Sequence, residues 1–192
     1  RIKILKELHY PHSLGLLYSA FTQYLGFKVN SGEYKVMGLA PYGEPKFFKL
    51  ICDNLVDIKD DGSFKLNMKY FNYLTGLTMV NKNFEDLFGN KTREYDSENL
   101  SEFHMDVAAS IQKVIEFIVL KITDDVSNNH QIENLCLSGG VALNCVANSK
   151  IYQNGNFKKI WVQPASGDAG GSLGAALTCY FQYLNNKRVV NP

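Results

Sequence analysis

The chain has 192 residues, of which 45% are hydrophobic and 20% are charged. These fractions are ordinary for a globular protein and suffice for a sizeable core, which excludes a peptide hormone, a small disulfide scaffold and a disordered chain. Lys and Arg number 20 against 19 Asp and Glu, so the chain has almost no net charge to attract nucleic acid or anionic lipid. Neither is expected as a partner.

The first half of the chain predicts a helix followed by a hairpin. Apolar and aromatic residues recur at helical spacing over residues 14–26, and Gly26 is expected to end that helix. Apolar residues then alternate on both sides of Asp60-Asp61-Gly62, which is typical of a peripheral hairpin with an Asp-Gly turn. Residues 91–99 are charged and are expected to form a solvated connection. The alternating residues are Val56, Ile58, Phe64, Leu66 and Met68.

The second half predicts a long helix followed by a β-α-β unit. Ser101 and Glu102 suit a helix start, and residues 127–129 suit its end. Short apolar strands at 134–137 and 159–163 then alternate with helices over about 142–152 and 173–184. This order predicts a parallel, right-handed arrangement. The long helix carries a wide apolar stripe made of Val107, Ile111, Val114, Ile115, Ile118, Val119 and Ile122.

Cysteine usage and the lack of a recognisable signal peptide predict a reducing compartment. The cysteines form no C-x-x-C pair, and two of them lie in apolar segments, which predicts inert, buried thiols in a reducing environment. No apolar run approaches the roughly 18 residues that a membrane span needs, and no signal peptide is recognisable. The start at Arg1 is typical of a piece of a longer polypeptide. We expect a cytoplasmic protein. The cysteines are Cys52, Cys136, Cys145 and Cys179.

Two glycine-rich loops, 138–140 and 166–171, follow the two predicted parallel strands. Ligands of open parallel sheets bind beyond the carboxyl ends of the strands, and each loop leads into a helix start that offers free backbone N–H groups to an anion. Together the loops predict a nucleotide or acyl-phosphate site. The alternative is that the glycines only make tight turns. Neither the Walker nor the Rossmann glycine pattern is present.

Three polar residues near these glycines are candidates for binding. Asp168, set among small residues, suits a cation that bridges to a phosphate, although an Asx-type turn or N-cap explains it as well. Asn144 suits a ribose or phosphate contact, or is simply an exposed helix residue. Glu33 lies in the glycine-rich segment 30–43, where partly buried charges tend to be paired or ligand-facing, although a helix cap explains it as well.

The same segment 30–43 also holds Lys35, which is either paired in this way or a surface lysine. The four histidines are expected to be structural or solvent-facing, because none lies in a recognisable ligand or catalytic spacing. They are His9, His12, His104 and His130.

Four segments together resemble the NodU/CmcH-type carbamoyltransferases in sequence and in order. The resemblance covers about residues 9–184, and these long motifs are far more specific than a lone glycine pattern. The segments are PHSLGLLYSAFTQYLGF at 11–27, GEYKVMGLAPYG at 32–43, LSGGVALNCVAN at 137–148 and PASGDAGGSLGAA at 164–176.

This resemblance implies an actin-like, sugar-kinase-like (RNase H-like) ATPase fold, of which residues 1–192 form the second, C-terminal half with a peripheral β-hairpin. The N-terminal half, with an H-x-x-x-H metal pair, and a downstream domain that forms carbamoyl-adenylate are expected elsewhere in the polypeptide. The chain alone is therefore expected to be inactive. Its partners are expected to be those domains and a small-molecule acceptor.

The resemblance also implies roles for individual residues. The adenosine moiety is expected at Gly32, Glu33, Lys35 and Gly38. Asp168 matches a ligand of a divalent metal, often iron. The phosphate and ribose are expected at Gly139, Gly140 and Asn144, in the first loop and the helix start after it, and the nucleotide also at Gly167 and Gly170 in the second loop.

The implied reaction is an O-carbamoyl transfer. Carbamoyl phosphate and ATP give carbamoyl-adenylate and pyrophosphate, and the adenylate then carbamoylates a hydroxyl of a sugar or secondary metabolite. The alternatives are an actin-fold sugar kinase and a non-catalytic nucleotide-binding module. A tRNA-modifying relative is disfavoured by segment 11–27 and by the absence of a basic patch.

Overall fold

The computed structural model describes residues 3–95 and 100–189 and shows a mixed α/β structure. The predicted elements are present, with boundaries that move by a few residues, and residues 96–99 of the predicted charged connection lie outside the described part. The helices are α1 (Leu14–Tyr24), α2 (Glu33–Leu39), α3 (Phe48–Asn54), α4 (Lys82–Phe88), α5 (Glu102–His130), α6 (Cys145–Asn154) and α7 (Gly170–Thr178). The strands are β1 (Val56–Ile58), β2 (Phe64–Leu66), β3 (Asn134–Leu137) and β4 (Lys159–Val162).

Helix α5 is the centre of the molecule. It begins at Glu102, directly after Ser101 as predicted, and ends at His130, just past the predicted 127–129. Its apolar stripe is buried against α1, α2, α3 and α6, because the stripe follows the helical repeat. Despite its 29 residues, neither α5 nor any other helix within the described residues has the length and apolar character of a membrane span.

An aromatic cluster joins α1, α4 and α5 on one side of this core. The ring of Phe21 meets that of Phe84 edge-on at 5.1 Å, and Tyr24 meets the same Phe84 ring at 5.1 Å. Both α1 residues and Phe84 are essentially fully buried. Burial of such side chains stabilises the fold by roughly 1.5–3 kcal/mol each, which anchors α1 where it can form a wall of the cavity described below.

The two small sheets match the predicted pairings. β1 and β2 are antiparallel around the Asp60-Asp61-Gly62 turn, with Ile58 opposite Phe64. β3 and β4 are parallel, with Cys136 opposite Trp161, and α6 connects them. The β-α-β prediction is thus confirmed. Helix α6 starts three residues later than predicted because a short 3₁₀ turn, Gly140–Leu143, comes between β3 and the helix.

The prediction that the cysteines are buried is wrong. Three of the four free cysteines are exposed and Cys52 is only half-buried. The final helix also ends its regular part at Thr178 and continues as a π-turn, and its apolar residues Leu173, Leu177 and Tyr180 are exposed. The main core cluster takes no residue from β3, β4 or α7, which accounts for the exposure of Cys136 on β3 and of the apolar residues of α7. These elements have the predicted apolar patterns, but no element among the described residues packs against their apolar sides.

An ion pair ties the segment after α2 to α5 and makes stability depend on pH. The buried carboxylate of Asp106 accepts from Lys46 Nζ at 2.7 Å and from the backbone N–H of Glu44 at 2.8 Å. Burial alone would raise the pKa of Asp106, but these hydrogen bonds outweigh it and hold the pKa below its usual value.

The direction of the pH effect follows from that lowered pKa. The stabilisation by Asp106 is complete above the unfolded pKa of about 3.9 and is lost as pH falls through the lower folded value. We expect the urea-derived free energy of unfolding to fall below about pH 4, and to fall less steeply in Asp106→Asn than in the wild type. Equal slopes in the two proteins would contradict this assignment. Asp86→Asn on α4 is the matched control, since this exposed carboxylate has no such partners among the residues that the structure describes.

Candidate functional site

A cavity of about 730 Å³ lies between α1, the start of α2 and the two glycine-rich loops. Five of the predicted site residues line it, so the fold brings together positions that are far apart in sequence. They are Glu33, Gly140, Asn144, Gly167 and Asp168. A second cavity of about 740 Å³, between the end of α1 and α4, contains none of the predicted site residues.

The two glycine-rich loops are in direct contact. The backbone N–H of Gly139 donates to the carbonyl of Ser166 at 2.7 Å, because the parallel pairing of β3 and β4 places both carboxyl ends at the same edge. Gly139 has a φ of +100°, a conformation that side-chain-bearing residues rarely adopt. The prediction that the loops lie side by side is confirmed.

Asp168 is exposed and lines the cavity, and its carboxylate has no hydrogen-bond or ion-pair partner within residues 3–95 and 100–189. Its backbone carbonyl accepts from Gly171 N at 3.0 Å, which is a backbone turn. The side chain therefore forms neither the Asx-type turn nor the N-cap that was the alternative. An unpaired carboxylate beside two N–H-rich loops is open to a ligand.

Asn144 is not the exposed helix residue of the alternative interpretation, because it is only 8% exposed. Its Oδ1 accepts from the backbone N–H of Ala147 at 3.0 Å and so caps α6. Its amide also pairs with Gln112 of α5, at 3.0 and 3.1 Å. One N–H of Asn144 Nδ2 is left without an acceptor among the described residues, and the residue lines the cavity.

Glu33 lies on the opposite wall and is fully engaged by the protein. It accepts from Ser19 Oγ at 2.8 Å, from Asn30 N at 2.9 Å and from Gly32 N at 3.2 Å. These bonds from neutral donors close the turn between α1 and α2, so Glu33 acts as a helix cap and not as a member of a charge pair. Its carboxylate shapes the wall of the cavity.

The other predicted residues do not line the cavity. Lys35 is exposed, and its ammonium lies 5.8 Å from the centre of the Phe27 ring. Gly32 and Gly38 belong to the same stretch of chain but face elsewhere, and Gly170 packs against the carbonyl of Ala165. Gly139 does not line the cavity, but its neighbour Gly140 does.

The cavity combines helix starts that suit an anion with a lining that includes two carboxylates, Glu33 and Asp168. Helices α6 and α7 begin beside Asn144 and Asp168, so their free N–H groups and positive dipole ends lie at this edge. On the other wall, burial and then the nearby carboxylates of Glu33 and Glu116 raise the pKa of Tyr18 above its ordinary value. Tyr18 therefore stays a protonated hydrogen-bond donor at neutral pH.

A metal centre is not completed by these residues. Within the described parts of the chain, no three His, Cys, Asp or Glu side chains come together in a group that could hold an ion. The unpaired oxygens of Asp168 fit a hard or borderline cation as a single ligand. The histidines are structural or solvent-facing, as predicted, and His9 and His130 are exposed. For example, His12 Nδ1 accepts from the backbone N–H of Leu66, and His104 Nδ1 from that of Ser101.

Sequence reasoning missed three residues of this site. Tyr18 and Ser19 line the cavity from α1, and Gln112 supports Asn144 from α5. Tyr18 and Ser19 lie in the helix that was read only for its apolar spacing. Gln112 did carry a signal, because it is a polar residue next to Ile111 within the apolar stripe of α5, and a buried amide needs partners.

Comparison with known proteins identifies the family of this chain. The family described as carbamoyltransferase N-terminus matches residues 1–177. The chain is 64% identical over 184 residues to the uncharacterized protein sll1178 of Synechocystis sp., covering 96% of the chain and 30% of that protein. It is 35% identical over 178 residues to nodulation protein NolNO of Sinorhizobium fredii, with 92% of the chain and 24% of the relative covered.

A third relative, nodulation protein NolO of Bradyrhizobium diazoefficiens, is 36% identical over 166 residues, which cover 86% of the chain and 28% of that protein. The chain thus spans less than a third of the length of each of these relatives. The family match extends over the cavity, both glycine-rich loops and the helices that hold them. The chain therefore belongs to the carbamoyltransferase family.

Proposed function

We propose that the chain forms one wall of the site in which a carbamoyltransferase moves a carbamoyl group from carbamoyl-adenylate to the hydroxyl of a sugar or secondary metabolite. The adenylate would be made from carbamoyl phosphate and ATP by another part of the same polypeptide. In this proposal the chain is the C-terminal half of an actin-like domain, and the relatives' greater length leaves room for the other parts.

One observation carries this proposal. The Gly139 N–H to Ser166 carbonyl bond, at 2.7 Å, joins two helix-leading loops at the edge of a cavity that also contains an unpaired carboxylate. An acyl-adenylate presents a phosphate that needs N–H donors and a carbonyl that needs polarisation. The cavity volume of about 730 Å³ is in the range of ligand sites of nucleotide size.

The chain's own residues would bind and orient the adenylate. The loop N–H groups and the starts of α6 and α7 would hold its phosphate, and the second N–H of Asn144 would donate to a phosphate or ribose oxygen. In the transfer, the bond between the carbamoyl carbon and the phosphate oxygen breaks and a bond to the acceptor oxygen forms. AMP leaves, and the hydroxyl proton passes to water.

A divalent metal, expected to be iron, belongs to the proposal with Asp168 as one ligand. Such an ion would supply positive charge to the adenylate phosphate. Its remaining ligands would come from outside the described residues, since these hold no complete set.

The test is to identify the nucleotide product of the full-length polypeptide. ATP is supplied with and without carbamoyl phosphate, and the products are separated by chromatography. We expect pyrophosphate and orthophosphate that depend on carbamoyl phosphate, with one water consumed as carbamoyl-adenylate forms. Without an acceptor, a second water hydrolyses the adenylate and AMP appears. ADP as the product would replace the proposal by kinase or ATPase chemistry, and binding without turnover would replace it by a binding module. The 192-residue chain, run alongside, is expected to give no AMP.

A further inference from the structure

Gln112 is a polar residue in the most apolar part of the molecule. It lies on α5 between Ile111 and Ile115, both fully buried, and is itself only 4% exposed. A buried amide without partners destabilises a protein by about 1–3 kcal/mol. The hydrogen-bond partners of Gln112 should therefore explain why an amide is present in the apolar stripe.

All four hydrogen-bonding positions of the Gln112 amide are used. Its Oε1 accepts from Tyr18 Oη at 3.0 Å and from Asn144 Nδ2 at 3.0 Å. Its Nε2 donates to Asn144 Oδ1 at 3.1 Å and to Glu116 Oε1 at 3.0 Å. The contact with Asn144 is a reciprocal amide pair, which defines the position and the rotation of the Asn144 side chain.

These bonds connect two walls of one cavity. Tyr18 lines it from α1 and Asn144 lines it from the end of the first glycine-rich loop, while Gln112 stands behind both. We propose that Gln112 is a positioning residue that orients Asn144 toward the nucleotide and sets its distance from the α1 wall. This inference rests on the proposed function, in which Asn144 contacts the nucleotide.

The orientation matters because the amide pair leaves one N–H of Asn144 Nδ2 for the ligand. If Gln112 is replaced by an apolar side chain, Asn144 keeps its cap on α6 through Ala147 N but loses the partner that fixes its Nδ2. The remaining bond to Oδ1 still caps the helix, but the loss of both bonds of the amide pair leaves the plane of the Asn144 amide, and so the direction of Nδ2, less firmly held. The loss should therefore appear in ligand binding as well as in stability.

The experiment is a double-mutant cycle in the full-length polypeptide, with ATP as the probe. ATP is titrated by calorimetry into wild type, Gln112→Met, Asn144→Ala and the double variant, and the melting temperature of each is recorded. The proposed adenylate-forming part also binds ATP, so two kinds of ATP site are expected. The site under test is the one whose affinity for ATP falls in Asn144→Ala. Gln153→Met, at an exposed position on α6, is the matched control.

We expect Gln112→Met to weaken ATP binding at that site by about tenfold, and the double variant to bind no more weakly than Asn144→Ala alone, since both act through one contact. In turnover, KM should rise more than kcat falls. A lowered melting temperature with unchanged ATP affinity would overturn the inference, and so would fully additive effects. If Gln112→Met does not fold, Gln112→Asn, whose shorter amide cannot reach the same partners, replaces it with the same criteria.

The outcomes separate this inference from the proposed function. If Asn144→Ala binds ATP like the wild type, the placement of the nucleotide at Asn144 is wrong, and so is the positioning role of Gln112. If Asn144→Ala weakens binding while the Gln112 variants do not, only the role of Gln112 is wrong.

Discussion

Replacing Asp168 with asparagine is expected to lower carbamoyl transfer by the full-length polypeptide on the order of 100-fold or more, and to lower its bound metal sharply. The carboxylate is exposed, lines the cavity and has no partner within the described residues. Its removal therefore costs the fold almost nothing, and we expect the melting temperature to stay within the range of ordinary surface substitutions. Metal content by elemental analysis and AMP formation by chromatography are the measurements.

The control for this prediction is Asp86→Asn, which removes an exposed carboxylate on α4 away from the cavity. That variant should keep wild-type metal content and activity. Wild-type metal content and transfer in Asp168→Asn itself would remove Asp168 from the set of ligands, whatever the fate of the carbamoyltransferase proposal.

Gly170→Ala is expected to disturb both loops at once. A Cβ at this position would lie 2.1 Å from the carbonyl oxygen of Ala165, so the loop that holds Ser166 and Asp168 has to move. The Ser166 carbonyl accepts the Gly139 N–H, and its displacement passes to the first loop. Forcing extra volume into such a contact costs about 1–3 kcal/mol, and we expect ATP affinity to fall by about tenfold.

Gly174→Ala tests whether that effect belongs to the close contact. Gly174 lies in the same helix, and a Cβ there meets no heavy atom within 4 Å among the residues that the structure describes. In the 192-residue chain we expect it to be neutral or to stabilise by about 0.5–1 kcal/mol, because alanine favours a helix over glycine. Urea unfolding and ATP titration of both variants are the measurements, and equal effects would contradict the prediction.

Most elements of the fold were predictable because their signals are local. The apolar stripe of α5, the Asp-Gly turn of the hairpin and the strand-loop-helix order around β3 and β4 depend on residues a few positions apart. The boundaries were less accurate, as at α6, where the 3₁₀ turn at Gly140–Leu143 uses residues that also suit a helix. The predicted burial of the cysteines was wrong for three of them, because an apolar sequence pattern does not show whether another element packs against that surface.

Some residues of the candidate site were predictable from local sequence, and others were not. Glycines after parallel strands and an isolated Asp168 can be recognised from residue type and order, because strand ends and helix starts create anion sites wherever they occur. Gln112 and Asn144 are 32 positions apart, and no local pattern pairs them. Only the packing of α5 against α6 and α1 decided that Asn144 is buried, that Glu33 is occupied by the protein and that Lys35 stays outside. The physical reason is that a hydrogen bond depends on distance and direction in space, which the folded arrangement of helices sets and the order of residues does not.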